Sequence, residues 1–414
     1  MKILMLSSTF PYPPSSGGTQ VRTFNLLKYL ARNHQVTLAT QRPKYVTDDE
    51  VEALRCCVNR LAIFPGPQKP KEPNIGALSK AGINVLGKAQ RFGNFMVEGT
   101  PPSVRYLYSP KMQEWVDDYV ESGSCDAITS EHSVNEIYVQ PLWRQKLKTL
   151  INIHSSVYGT CRQQLQSGTS SNPLRDRLQL RLLRKYEQRY CSKFSGIVTT
   201  TDEDRRQIQE FKPRARISVI PNGVDFDHFP ERKEDPGGHK IIFIGAMDNL
   251  PNIDAVRFFS KEAFPLLKLH YPDLSLTIAG ARPVPEILEL QNQPGIEVTG
   301  TVPSLVEYLH RSTVCVVPMR TGYGIKNKTL QAMAAGVPVV ASDRGLEGLA
   351  VDGRDIPPRA LRANRLEEYV RAVTRLFEDR VLRRELSKNA RSFVESEYTW
   401  EAAGFRYEQV LSNL

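Results

Sequence analysis

The sequence predicts an α/β protein of two doubly wound domains, each a parallel sheet covered by helices on both faces. Three observations carry this. Short, nearly continuous apolar runs alternate with longer amphipathic stretches, as strands buried on both faces and their crossover helices require. The alternation breaks at a polar stretch with prolines and paired glycines, DFDHFPERKEDPGGHK (225–240), and then restarts. The 414 residues also suffice for two full cores, at roughly 150 residues per domain.

In the first half, KILMLSS (2–8) is a strand, and a Gly-Gly turn leads into a helix over Val21–Arg32 with Phe24, Leu27 and Leu30 on one face. Further strands are expected at QVTLAT (35–40), RLAIFPG (60–66), CDAITSE (125–131), TLINIH (149–154), GIVTTT (196–201) and ISVIPNG (217–223). After the break come strands at KIIFIGAM (240–247), LSLTIAG (274–280), IEVTG (296–300), TVCVVPM (313–319) and VPVVAS (337–342). Helices over Ile253–Leu267, Val284–Gln291, Ser304–Arg311 and Lys326–Ala335 separate them, and the tail is helical with a long amphipathic segment at Leu382–Glu397. The expected organisation is an N-terminal domain at 1–224, a linker at 225–239, a C-terminal domain at 240–385, and C-terminal helices at 386–414 packing back toward the N-terminal domain. Two such domains facing one another would set their strand carboxyl ends around one cleft, where open α/β sheets bind ligands.

The chain is 40% hydrophobic and 24% charged, which excludes a disordered, collagen-like or coiled-coil chain. No apolar run approaches the ~18 residues of a bilayer span, and MKILMLSSTFPYPP reads as a buried strand, not a signal peptide. The six cysteines (Cys56, Cys57, Cys125, Cys161, Cys191, Cys315) form no CxxC pair and no zinc-ligand cluster, so a reduced cytoplasmic protein is expected. The formal charge of +10 is uneven: residues 1–220 hold 31 Lys and Arg against 19 acids, a balance of +12, and the remainder balances at −2. The first half therefore favours anionic partners. No aromatic RNP run, zinc finger or helix-turn-helix signature points to nucleic acid.

Two loops carry the chemistry. Gly17-Gly18 precedes the first helix, with Ser16 or Thr19 as candidate caps, where backbone amides at a helix N-terminus suit an anion. This is not the G-x-G-x-x-G fingerprint, and no acid ends the second strand, so a nicotinamide cofactor is disfavoured. The stronger signal is PMRTGYGIKNKTLQAMAAGVPVVAS (318–342): Gly322 and Gly324 flank Tyr323 in a loop opening onto a helix, with Lys326 and Lys328 in its first turn. Cations there oppose the helix dipole unless an anion joins them, and a diphosphate would resolve the conflict. Gln331 follows one turn on, and Ala332, Met333, Ala334 and Ala335 make a slim helix that packs closely on a sheet.

GIKNKTLQAMAAGVPVVAS, SVIPNGVDFDHF, the opening GGTQVRTFNLLKYLARNHQVTLAT, and FIGAMDNLPNIDAVRFF, TIAG and VTGTV occur in an order that resembles glycosyltransferase family 4 over nearly the whole chain. The likeness is greatest to bacterial members acting on surface polysaccharide, glycolipid or other envelope sugars. It implies the GT-B fold of two facing Rossmann-like domains and a retaining, nucleotide-sugar-dependent transferase. By the resemblance, Gly17 and Gly18 approach the donor phosphate, Gly245 and Met247 line the floor of the C-terminal cleft, and Gly300, Thr301 and Val302 hold the base edge. Gly324, Ile325 and Lys326 meet the diphosphate and sugar, with Gly322 and Lys328 beside them. Gln331 stands where the family's second motif Glu bonds the ribose, and Tyr323 where the first Glu contacts sugar hydroxyls. GAMDNLPN replaces the family's usual Arg and Lys after the first C-terminal strand, which leaves phosphate compensation to Lys326 and Lys328.

SEHSVNE (130–136) and INIHSSVYG (151–159) each end a strand with a histidine, where family members often contact donor sugar or acceptor. Glu131, His132 and His154 are the candidates for orienting sugar and acceptor. A retaining transfer in which the departing phosphate takes the acceptor's proton needs no protein nucleophile. No cofactor or metal is expected. Asp225-Phe226-Asp227 spells a DxD, but its place after VIPNGV reads as turn and linker capping.

The basic stretch IGALSKAGINVLGKAQRFGNFMV (75–97) places Ile75, Leu78, Ile83, Leu86, Phe92 and Phe95 among Lys80, Lys88 and Arg91. It suits an acceptor loop or an interfacial helix on an anionic membrane, and equally ordinary packing. A second basic block, LRDRLQLRLLRKYEQRYCSK (174–193), reads as an N-terminal-domain helix with a solvated face. The expected partners are a nucleotide-sugar donor and an anionic, lipid-linked, glycan or small-molecule acceptor, with a cytoplasmic protein peripheral at the inner membrane face. A nucleotide-sugar 2-epimerase of the same fold and a non-catalytic sugar-nucleotide binder are the competing readings.

Overall fold

A computed structural model describes residues 1–14, 17–67, 93, 95–170 and 172–414. Of the expected basic stretch at 75–97, residues 75–92 and 94 lie outside the described residues; Phe95 is buried in a core. The chain divides into two units, Met1–Ile220 with Gly404–Leu414, and Pro221–Ala403.

Seven parallel strands form the sheet of the first unit. They are β1 (Lys2–Ser7), β2 (Gln35–Arg42), β3 (Arg60–Pro65), β4 (Ala127–Glu131), β5 (Lys148–Ile153), β6 (Gly196–Thr199) and β7 (Ile217–Val219), in the order β3-β2-β1-β4-β5-β6-β7. β1 pairs with β2 from Lys2↔Gln35 to Ser7↔Thr40 and with β4 from Ile3↔Ala127 to Leu6↔Ser130. The order reverses between β1 and β4, the topological switch point at which doubly wound sheets open a ligand crevice. In β1 every residue after Lys2 is buried, so the continuous apolar run is explained by helices on both faces.

The second unit repeats the plan with β8 (Lys240–Ile244), β9 (Ser275–Ala279), β10 (Ile296–Gly300), β11 (Val314–Val317), β12 (Val339–Ala341) and β13 (Leu361–Arg362), in the parallel order β10-β9-β8-β11-β12-β13. Its switch point lies between β8 and β11. The expected helix over 253–267 is built as Leu250–Phe258, a wider π turn at Phe259–Ala263, and Phe264–His270. The slim helix is Asn327–Ala334, with Ala332, Ala334 and Ala335 wholly buried in the core.

Residues 225–239 are fastened to the second unit. Phe226 and Phe229 pack on its core, and Arg383 Nε lies 2.7 Å from an Asp235 carboxylate oxygen. The Asp225 carboxylate accepts from the backbone amides of Asp227 and His228, both at 3.1 Å, which closes a turn.

The last helix, Trp400–Ser412, joins the first unit from Gly404 onward, together with the two residues that follow it. Gly404 lets it approach the helix Gly18–Leu30: a Cβ at 404 would lie 2.2 Å from Cγ of Tyr29. Lys148 Nζ donates to the carbonyl of Ser412 at 2.6 Å, and His34 Nε2 lies 2.7 Å from Glu408. Among the described residues no helix is long and apolar enough to cross a membrane, and no group of three or more His, Cys, Asp or Glu is placed to hold a metal ion.

Candidate active site

In the second unit, the carboxyl ends of β8, β9 and β10 bring three glycines into a row. A Cβ on Gly280 (φ +151) would stand 1.8 Å from the carbonyl oxygen of Gly245, and Gly280 N–H donates to the Gly300 carbonyl at 3.2 Å. Such approach, in a φ region that side chains avoid, requires glycine. Gly300 (φ +65) faces open space, Thr301 is exposed and Val302 half-buried, so the backbone here is accessible to a planar ligand. Met247 departs from expectation. Its side chain is wholly buried in the core, where an apolar thioether is removed from water, and its backbone N–H donates to the Ala281 carbonyl at 2.8 Å.

The loop after β11 completes this floor. Gly322 (φ +103) and Gly324 (φ +81) turn the chain so that their carbonyls accept from Lys326 Nζ, Gly322 at 3.0 Å. Lys326 is the residue before the helix and not part of its first turn, and only 9% of it is exposed. Its ammonium also lies 3.4 Å from Glu347, a nearly fully buried carboxylate that Arg344 approaches at 3.2 Å. Arg344 in turn sits 5.4 Å from the centre of the Tyr323 ring. Lys326 therefore clamps the loop, a role set by its buried carboxylate partner. Ile325 is buried in the core, and Gln331 is half-buried one turn into the helix.

Lys328 is placed differently. Its amine donates to Asn252 Oδ1, lies 3.7 Å from Met319 Sδ, and sits 4.6 Å above the Phe243 ring. It reaches the β8 end, 3.2 Å from where a Gly245 Cβ would be. Burial first, and the Lys326 charge second, push its pKa down to about 7. An anion at this glycine floor would restore its charge.

In the first unit, the ends of β1, β4 and β5 meet the start of the helix Gly18–Leu30. Gly17 precedes that helix in extended backbone with no side-chain cap, and Gly18 is its exposed first residue. Thr19 lies inside the helix, not at its cap, and its hydroxyl instead meets His154 Nδ1 at 3.4 Å. Ser16 lies outside the described residues. His132 holds φ +79 at the end of β4, a strained backbone for a non-glycine residue. Its ring lies edge-on to His154 at 5.1 Å between centroids. Burial pushes His132 down to about 4 and His154 well below the usual range, so both rings are neutral at physiological pH. The Nε2 atom of His154 is buried without a hydrogen-bond partner among the described residues.

Glu131, the residue before His132, has no exposed surface. It accepts from Tyr407 Oη at 2.6 Å and from Asn152 Nδ2 at 2.7 Å, and Asn152 Oδ1 accepts from Arg22 Nε at 3.0 Å. Desolvation raises the Glu131 pKa and holds the buried Arg22 down to about 10. Enclosure by these partners turns Glu131 into a support for the strand ends instead of the ligand-touching group expected. Asn152, Arg22, Tyr407, Asn252 and Glu347 were not singled out from sequence. Only Asn252 and Glu347 carry a local hint, Asn252 as a polar residue in the first turn of the helix after β8 and Glu347 as one in the turn after β12.

The Glycosyltransferase Family 4 profile matches residues 16–228, and that of Glycosyl transferases group 1 matches residues 238–379. An uncharacterised glycosyltransferase of Methanocaldococcus jannaschii is 28% identical over 123 residues, and the match spans 29% of this chain and 31% of that relative's length. Sucrose-phosphate synthase of Thermosynechococcus elongatus superposes over 100% of this chain and 98% of its own (TM-score 0.69, 16% identity). Anabaena HepE in complex with UDP-glucose does so over 100% of both chains (TM-score 0.65, 13% identity). TarM of Staphylococcus aureus covers 99% of each (TM-score 0.68, 11% identity). At these identities the structures speak for the shared fold. With more than half of the residues matched by the first profile alone, this chain belongs to glycosyltransferase family 4 and has the GT-B fold.

Proposed function

We propose that the protein is a retaining glycosyltransferase that moves a sugar, a hexose by preference, from a nucleotide-diphospho-sugar to a hydroxyl acceptor. One observation carries the reading. A buried amine poised near pKa 7, Lys328, stands at a glycine floor beside a loop clamped by Lys326. A diphosphate seated there would be neutralised by Lys328 and by backbone N–H groups at the start of the helix Asn327–Ala334. Those same groups would stabilise it as it departs, which is where catalysis of this transfer lies. That HepE is described with UDP and with UDP-glucose supports a nucleotide-sugar donor.

In the first unit, Nδ1 of His132 accepts from the Val134 amide (3.4 Å) and Nδ1 of His154 meets the Thr19 hydroxyl (3.4 Å), which leaves Nε2 of each neutral ring for a hydroxyl group. His154 Nε2, unsatisfied and buried, suits a sugar or acceptor hydroxyl. Glu131 acts through Asn152 and Arg22 as a positioning residue. The +12 balance of residues 1–220 favours an anionic acceptor, such as a lipid-linked or envelope glycan.

The test is turnover of a panel of UDP-, GDP- and ADP-sugars with glycan and lipid-linked acceptors, the new linkage being assigned by NMR. The expected product keeps the donor's anomeric configuration. Inversion would overturn the retaining mechanism. Binding without turnover would favour a non-catalytic binder, and sugar isomerisation an epimerase.

A further inference from the structure

The helix Pro173–Cys191 is amphipathic in an unusual sense. Its buried residues, Asp176, Leu183, Tyr186, Glu187, Tyr190 and Cys191, face the core of the first unit. At about 100° per residue, the opposite arc of about 120° carries Leu174, Arg177, Leu178, Arg181, Arg184, Lys185 and Gln188. That arc holds four cations and no acid, since the helix's acidic residues are among the buried ones. Arg177, Arg181, Arg184 and Lys185 have no ion-pair or hydrogen-bond partner among the described residues.

A solvated face explains the cations and leaves the leucines unexplained. Leu174 is 74% and Leu178 68% exposed, side by side at i and i+4 among the arginines. A second apolar pair stands beside the helix's last turns. Arg189 donates to the carbonyls of Glu98 (3.0 Å) and Gly99 (3.1 Å) and to Thr100 Oγ1 (2.9 Å). This fixes the chain that bears Met96 (59% exposed) and Val97 (88% exposed).

We propose that the outward face of the helix Pro173–Cys191 docks on an anionic lipid surface, with the cations at the headgroups and Leu174 and Leu178 in the interfacial layer. Long basic side chains set the approach and the leucines the depth, the division of labour found in interfacial helices. Charge complementarity alone would suit any polyanion; the exposed leucines select the bilayer. The inference goes beyond sugar transfer and stands apart from it, because vesicle binding is read without donor or acceptor.

The experiment is sedimentation of the full chain with vesicles of equal parts phosphatidylglycerol and phosphatidylcholine, with phosphatidylcholine vesicles and soluble heparin alongside. The wild type should bind the anionic vesicles and not the neutral ones. Arg181→Glu with Lys185→Glu should weaken that binding at least about tenfold. Leu174→Ser with Leu178→Ser should weaken it about fivefold and leave heparin binding unchanged. All four side chains are solvent-facing, so both double variants should melt with the wild type. A wild type that ignores anionic vesicles overturns the proposal. So does a leucine pair that changes nothing while the charge pair removes vesicles and heparin alike, which would make the face a general polyanion surface.

Discussion

Lys328 and Lys326 are two residues apart and do different work. Lys326 spends its charge on Glu347 and two loop carbonyls, whereas among the described residues the Lys328 amine meets Asn252, a thioether and a ring. Lys328→Ala should therefore weaken donor binding by about 10- to 100-fold, the worth of one hydrogen bond to a charged group, as isothermal titration would measure. The pH dependence follows from its sign. The free amine is depressed to about 7 and a bound diphosphate favours the cation, so wild-type affinity should fall as pH rises above about 7. In Lys328→Ala that slope should vanish. His154→Ala should lower kcat by about a hundredfold with nucleotide affinity unchanged, if its unsatisfied Nε2 holds a reacting hydroxyl. Both lysines were legible in the sequence as a cluster after a glycine loop. Their division of labour was not, because Glu347 reaches Lys326 only through a turn formed 21 residues later.

At the scale of elements, legibility tracked the length of the buried apolar run. KILMLS and KIIFI announce themselves because nearly every residue is buried, whereas β13 is a strand of only two residues, one half-buried and one exposed, and leaves no pattern. The strand ends were legible as places where glycines gather, but not the packing that demands them. Gly280→Ala would press a Cβ to 1.8 Å of the Gly245 carbonyl at φ +151, so a cost of at least about 2–3 kcal/mol is expected in denaturant melts. The last helix offers a complementary case. Tyr407 meets Glu131 across 276 residues of sequence, a contact no local pattern encodes. Tyr407→Phe should destabilise the protein by about 1–3 kcal/mol, because a buried carboxylate oxygen loses its donor. It should also slow turnover more than it weakens donor binding, since Glu131 underlies the strand ends that carry His132 and His154.

For the whole molecule, the sequence conveyed the repeated doubly wound plan because each sheet is built from local strand–helix alternation. It conveyed the segmentation less well. Residues 225–239 read as a linker from their prolines and glycines, yet Phe226, Phe229, Arg232 and Asp235 fasten them to the second unit. The charge asymmetry acquires a concrete bearer in the first unit, the outward face of the helix Pro173–Cys191. The second unit, near neutrality, concentrates its site cations in two lysines at a glycine floor. The central claim is that this floor holds the diphosphate of a sugar donor that the enzyme transfers with retention. Its most direct test is a titration and turnover panel of UDP-, GDP- and ADP-sugars on wild type and Lys328→Ala. At least one donor should be bound and transferred with retained configuration, and its binding should weaken at least tenfold in the variant. Equal affinity in both proteins, or no binding of any nucleotide-sugar, would contradict it.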